Sequence, residues 1–281
     1  MNKKNIRSNR KKYIKSAIVL LIVIALLLFC NFQNKHLETT HYTYEAEQLG
    51  VDLEGYRIVQ ISDLHNAKFG KNNQRLVDRI RECDPDMIVL TGDLVDSNHT
   101  NVDRAVQFVD EIVKICPVYY VTGNHEYWLD TSEYENLMDG LASAGVVILD
   151  DQVVEISRGD AKLRLVGLDD KSLADGTLEA LLSDEKELTV VLAHEPQYFA
   201  RYAGTGVDLV LSGHAHGGQF RLPFVGGIVA PDQGFLPEYT AGEYYMNGTE
   251  MIVSRGLGNS VIPVRLFNYP EIVCVELVGM H

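Results

Sequence analysis

Five short runs of Val, Ile, Leu and Met in this chain each end in a small polar cluster, and that repeated ending restricts the possible folds more than any other feature. The clusters are Ser62–His65 (SDLH), Thr91–Asp93 (TGD), Thr122–Glu126 (TGNHE), Ala193–Glu195 (AHE) and Ser212–His216 (SGHAH). Runs this short and this apolar read as strands covered on both faces. The first-half strands are expected at Arg57–Ser62, Met87–Leu90 and Val118–Val121, alternating with helices over Asn73–Cys83, Val102–Ile115 and Ser132–Ser143. Strands crowd the second half, at Val146–Leu149, Val153–Ile156, Leu163–Val166, Val190–Ala193, Leu209–Leu211, Met251–Val253 and Ile272–Leu277. The pattern predicts an α/β chain, read from the residues alone as one two-layered domain behind a short stalk. In such sheets ligands bind in the crevice beyond the carboxyl ends of the strands. The five clusters can therefore converge on one site.

Their composition says what that site would hold. Of nine histidines, five (His65, His125, His194, His214 and His216) fall in the clusters. Asp63, Asp93 and Asn124 add oxygen donors, and no cysteine joins them. Nitrogen and oxygen donors without thiolate suit Mn, Fe or Zn and argue against a structural zinc site. Four imidazoles, two carboxylates and an amide exceed one coordination shell once water and substrate are admitted. Two ions sharing one carboxylate would absorb them, about 3.5 to 4 Å apart, as in phosphoryl hydrolysis. Each piece alone has an ordinary reading: Asp63-Leu64-His65, Gly92-Asp93 and Gly123-Asn124 can all be turns, and His194 before Glu195 and Pro196 can cap a helix. Together, in this order, they form a constellation. Neither His125 nor His194 has a second histidine four residues on, and there is no G-x-S-x-G elbow, dinucleotide loop or phosphate-cradling G-x-x-x-x-G-K.

Ahead of the domain, seven cations (Lys3, Lys4, Arg7, Arg10, Lys11, Lys12 and Lys15) precede an unbroken apolar run from Ala17 to Cys30. Tyr13, Ile14 and Phe32 extend that run toward the roughly 20 residues a span needs. No small-x-small cleavage site follows, and bulky Phe29 spoils a lipoprotein-type box at Cys30. The expected layout is a basic cytoplasmic segment (1–15), an uncleaved signal anchor (16–33), a stalk and first strand (34–50) and a domain (51–281). The positive-inside rule then puts that domain outside the cytoplasm of a single-pass cell-membrane protein. Taking the seven cations from the 25 basic residues leaves 18 against 39 acidic, a net charge of −21, so no nucleic-acid partner is expected. Cys83, Cys116 and Cys274 have neither disulfide-framework nor zinc spacing.

Asp63-Leu64-His65, Gly92-Asp93, Gly123-Asn124-His125-Glu126, His194 and Gly213-His214-Ala215-His216 resemble, in order, the five motifs of the calcineurin-like metallophosphoesterases, over about residues 56 to 216. Gly217-Gly218-Gln219, Arg255-Gly256-Leu257-Gly258 and Pro270-Glu271 resemble the bacterial membrane-associated or exported branch, which includes UDP-diacylglucosamine pyrophosphatases. The resemblance implies a four-layer α/β/β/α sandwich of two mixed sheets. By motif position it implies Asp63, His65 and His216 on one divalent ion, Asn124, His194 and His214 on a second, and Asp93 bridging. Asn124 and His125 would contact substrate, with His125 protonating the leaving oxygen while a metal-bridging hydroxide attacks a phosphoester or pyrophosphate bond.

The substrate is expected to be a phosphorylated small molecule or lipid. The apolar loop Leu222–Pro231 (LPFVGGIVAP) either serves a lipid-linked substrate or packs in the core. A catalytically inactive metal-binding or receptor domain at the cell surface is the rival reading. His214 and His216 are expected to serve different ions, about 7 Å apart if the backbone is extended at Ala215.

Overall fold

The computed structural model describes residues 3–47, 49–182, 187–260 and 262–280, and side chains from Tyr13 onward. The side chains of the basic segment before Tyr13 lie outside the described residues. A single helix, α1 (Lys3–Lys35), opens the described chain, and within its Tyr13–Lys35 stretch an 18-residue window has a mean hydropathy of 2.7 and no buried residue. At 1.5 Å per residue those 23 residues span roughly 35 Å, enough to cross a bilayer core of about 30 Å.

The elements that follow are β1 (Glu38–Ala46), β2 (Arg57–Ile61), α2 (Gln74–Glu82), β3 (Met87–Thr91), α3 (Val102–Ile112), β4 (Val118–Val121), α4 (Asn124–Tyr127), α5 (Thr131–Ala144) and β5 (Val147–Ile148). Next come β6 (Gln152–Arg158), β7 (Ala161–Gly167), α6 (Thr177–Leu181), β8 (Leu188–Leu192), α7 (Phe199–Tyr202) and β9 (Leu209–Ser212). Four two-residue strands, β10 (Arg221–Leu222), β11 (Gly226–Gly227), β12 (Val229–Ala230) and β13 (Gly234–Phe235), form two small hairpins. The chain closes with β14 (Gly242–Met246), β15 (Thr249–Val253) and β16 (Glu271–Gly279).

Two six-stranded mixed sheets result, ordered β1-β16-β2-β3-β4-β5 and β14-β15-β9-β8-β7-β6. Their central strands are uniformly apolar because each alternates between two cores. On β3, Met87 and Val89 point between the sheets, while Ile88 and Leu90 meet α2, α3 and α5. On β9, Leu209 and Leu211 point between the sheets, while Val210 packs with Phe199 and Tyr202 of α7. The architecture is thus the four-layer α/β/β/α sandwich, and the two-layered reading is corrected: apolar runs show burial on both faces without showing that two sheets share it.

In the region expected to hold a stalk and first strand (34–50), the stalk is short and the strand long. α1 continues to Lys35, and β1 starts at Glu38, pairing with β16 along its whole length. The folded domain therefore begins at Glu38. Glu38–Ala46 (ETTHYTYEA) alternates in burial at a sheet edge, so it lacks the continuous apolar signal of the central strands.

Candidate metal centre

Strands β2, β3 and β4 of one sheet and β8 and β9 of the other are parallel within their sheets and end side by side, which brings all five polar clusters together. Gln60 joins the two ends, donating from Nε2 to Ser212 O (2.9 Å) and Thr91 Oγ1 (3.0 Å). The backbone there is unusual. Asp63, His65, Asp93, His214 and His216 have φ of 49°, 44°, 53°, 62° and 48°, the left-handed region that non-glycine residues enter at a cost of about 1–2 kcal/mol each. Strain of this kind concentrates where a site needs side chains aimed against local preference.

The aimed side chains form two donor sets. In the first, His65 Nε2 lies 3.2 Å from His216 Nε2 and 3.4 Å from Asp93 Oδ2, and His216 Nε2 lies 3.6 Å from Asp63 Oδ1. In the second, His194 Nε2 lies 3.3 Å from Asp93 Oδ2, 3.2 Å from His214 Nδ1 and 3.1 Å from Asn124 Oδ1. One oxygen, Asp93 Oδ2, faces both sets. The seven residues expected to ligate metal are all here, and six of them are buried, Asn124 being partly exposed.

Outer contacts set which atom faces inward. His194 Nδ1 donates to Thr91 O (2.7 Å), which turns Nε2 toward the site. His214 is turned the other way, with Nε2 against Asp232 Oδ2 (2.9 Å) and Nδ1 inward. Asp93 Oδ1 accepts from His125 N (2.9 Å), which holds the carboxylate with Oδ2 inward. Glu126 ties the β3 and β4 ends together by accepting from the backbone N–H groups of Asp93 (2.9 Å), Leu94 (2.8 Å) and Gly123 (2.8 Å).

Burial pushes the imidazoles of His65 and His216 down, His216 to about 4, so both rings are neutral at neutral pH. Burial also opposes charge on Asp93 and His194, but their mutual attraction outweighs it: Asp93 is held well below its ordinary value and His194 well above. Converging nitrogen lone pairs around buried carboxylates call for positive charge at two points. Divalent cations meet that demand, and the donor set of imidazole, carboxylate and amide without thiolate fits them.

His125 stands beside the two sets, not in the shared cluster around Asp93 Oδ2. Its ring meets His65 edge-on at 4.5 Å and packs on Trp128 at 4.6 Å. Ser97 N donates to Nδ1 (3.2 Å), so the proton of neutral His125 sits on Nε2, 3.2 Å from Ser260 Oγ.

Two glycines are required by space. A Cβ at Gly213 would stand 1.8 Å from Ser62 Oγ and 2.5 Å from Asp63 Oδ2; one at Gly123 would stand 2.4 Å from Asp93 Oδ1. The expectation of an extended Ala215 is corrected. Ala215 is helical (φ −73°, ψ −10°) and fully buried, and the left-handed turns at His214 and His216 swing their rings to opposite sets.

Several neighbours escaped the sequence reading. Asp170, with a buried Oδ1 that has no hydrogen-bond partner, follows β7 in Gly167-Leu168-Asp169-Asp170, a sixth polar strand ending that the same rule would have found. Asp232, Ser97 and Ser260 carry no local signal, because their partners are distant in sequence. The Leu222–Pro231 loop is not core at its tip: Leu222, Phe224 and Val225 are exposed. A cavity of about 630 Å³ lies at the other ends of the strands, near Thr189, Asp208 and Glu250, and no histidine lines it.

Residues 56–218 match the calcineurin-like phosphoesterase family profile. The chain is 32% identical to the uncharacterized metallophosphoesterase YkuE of Bacillus subtilis (strain 168), covering 86% of this chain and 85% of that protein. It is 31% identical to the phosphodiesterase YaeI of Escherichia coli (strain K12), over 79% and 82% of the two chains. It is 29% identical to a transmembrane protein with metallophosphoesterase domain of Danio rerio, covering 83% of this chain and 55% of that one. With two buried donor sets at the strand ends, and with these relatives, the chain belongs to the calcineurin-like phosphoesterase family, hydrolases of phosphoester bonds.

Proposed function

We propose that the protein is a dinuclear phosphoesterase that hydrolyses a phosphoester or pyrophosphate bond at the outer face of the cell membrane. The observation that carries this reading is the position of Asp93 Oδ2, 3.4 Å from His65 Nε2 and 3.3 Å from His194 Nε2, where one carboxylate oxygen serves two donor sets. Asp63, His65 and His216 would hold the first ion, Asn124, His194 and His214 would hold the second, and Asp93 would be shared between them. Two such ions, Mn, Fe or Zn, would supply an activated water and a positive clamp on the phosphoryl oxygens.

The remaining steps fall to the chain's own groups. Asn124, at the exposed edge of the second set, orients the phosphoryl group. His125, in its protonated imidazolium form, would give a proton to the departing oxygen and be left as the neutral ring, a contribution of about 10²- to 10⁴-fold. Residues 1–15 stay in the cytoplasm and 16–33 anchor the chain, so that a lipid-linked phosphate or a nucleotide reaches the domain from outside.

The test is hydrolysis of bis(p-nitrophenyl) phosphate by the detergent-purified full chain. Turnover that a chelator abolishes and Mn²⁺ restores supports the reading. No turnover with two ions demonstrably bound supports a metal-binding or receptor domain instead.

A further inference from the structure

Outside α1, twelve large apolar side chains are exposed among the described residues, and eight of them fall between Leu222 and Phe267, Tyr245 of β14 being the one outside the loops. Exposed apolar residues on soluble proteins are ordinarily scattered singly. Here they are joined. Phe220 pairs with Leu266, and Arg221 N donates to Leu266 O (2.9 Å), which sets the β10–β11 hairpin beside Phe267. Ile228 N donates to Phe220 O (2.9 Å), which sets the β12–β13 hairpin beside the first. The tips carry Phe224 (fully exposed), Phe235 (79%), Leu236 (65%) and Phe267 (54%). Phe224, Leu236 and Phe267 have φ of 67°, 54° and 51°, conformations that bulky residues adopt only under constraint.

The same loops grip α1. Phe267 N donates to Gln33 Oε1 (3.0 Å), Arg265 N to Asn34 Oδ1 (2.8 Å) and Asn34 Nδ2 to Pro263 O (2.8 Å). Gln33 is buried, and Tyr269 stacks edge-on against Phe32 and His36. No loose tether therefore separates helix and domain. Phe267 reaches further down, its ring 6.1 Å from that of Phe29. Phe29 precedes Lys35 by six residues, roughly 9 Å along the helix axis at 1.5 Å per residue. Phe267 thus stands level with the apolar part of α1, below its end. Where α1 does end, Lys35 Nζ donates to Lys68 O (2.8 Å) and Arg75 lies close by, a small cationic group on an otherwise acidic domain.

We propose that the strip formed by Leu222, Phe224, Phe235, Leu236, Ile262 and Phe267 is a membrane-docking surface, seated in the leaflet from which α1 emerges. It rests on α1 spanning a bilayer and is independent of the hydrolytic reading. The occupant is lipid because Phe267 shares its depth with α1, and Lys35, Lys68 and Arg75 meet headgroups at the level where the helix leaves the apolar zone. Apolar side chains on such a surface enter about 5–10 Å into the headgroup and acyl boundary. The strip also adjoins the metal centre: Asp232, between β12 and β13, contacts His214, and Asn268 Nδ2 donates to His216 O (2.7 Å). Docking would hold the mouth of the centre at the bilayer surface.

The full chain contains one tryptophan, Trp128, so fluorescence reads the geometry directly. Phe224→Trp, Leu236→Trp and, as a control on the second sheet's edge, Tyr245→Trp would be reconstituted in nanodiscs whose acyl chains carry bromine near the carbonyls. The expected result is loss of the added emission for Phe224→Trp and Leu236→Trp, and none for Tyr245→Trp. Equal quenching of all three overturns the proposal. Added emission that is shielded from water but not quenched by bromolipid overturns it too, by assigning the strip to a protein partner. Turnover of a soluble phosphodiester by Phe224→Trp separates this outcome from any failure of the hydrolytic reading.

Discussion

Gly123→Ala separates a geometric requirement from a conformational one. Gly123 has φ −116° and ψ −178°, extended backbone open to any residue, so alanine brings no backbone strain. The obstacle is Asp93, whose Oδ1 would lie 2.4 Å from the new Cβ, against 3.4 Å for ordinary contact. The carboxylate or the β4 end must therefore give by about 1 Å, while metal–ligand distances tolerate about 0.2 Å. Displacement of that size costs about 10²-fold in turnover, and the shared carboxylate makes both ions pay. Gly145→Ala is the complement: φ is +94° and nothing lies within 4 Å, so it should lose about 1–2 kcal/mol of stability and no activity. Metal content by plasma mass spectrometry, phosphodiester turnover and thermal melting read the two variants. A Gly123→Ala protein holding two ions with unchanged turnover would refute the reasoning.

His125→Ala should keep both ions yet lose about 10²- to 10⁴-fold in turnover, and loss of metal would move His125 into the ligand set. Asp232→Ala frees His214 Nε2 and should weaken metal binding about 10-fold in a competition titration, the scale of an outer partner to a ligating histidine. Glu250 is pushed up to about 7 by burial and then by Glu243, so folding favours its protonated form. That stability is complete below the ordinary carboxyl value and is lost as pH rises through about 7. Glu250→Gln should therefore melt higher than the parent at pH 8, by about 1–2 kcal/mol after allowing for partial exposure, and equally at pH 4.

The site was legible because its chemistry is written at strand ends, where a residue's place in the chain also gives its place in the crevice. Asp63, Asp93 and His194 each close an apolar run, and the sheet order brings the ends together. The four-layer packing was legible only through resemblance, since Met87 and Ile88 read alike whether the opposite layer is helix or sheet. The hairpins β10–β13 were missed for the converse reason, since two-residue strands leave almost no periodicity, and half-exposed edge strand β1 was expected within 34–50 without bounds of its own. The rotation of His214 away from His216 depends on two left-handed residues around a buried Ala215, which spacing alone cannot reveal. Asp232 and Ser260 reach the centre through tertiary contacts that the local sequence does not encode.

Anomalous diffraction from crystals of the protein grown with Mn²⁺ tests the dinuclear centre most directly. The account predicts two peaks about 3.5 to 4 Å apart, with Asp93 Oδ2 bonded to both. A single peak, or two peaks that do not share Asp93, would contradict it.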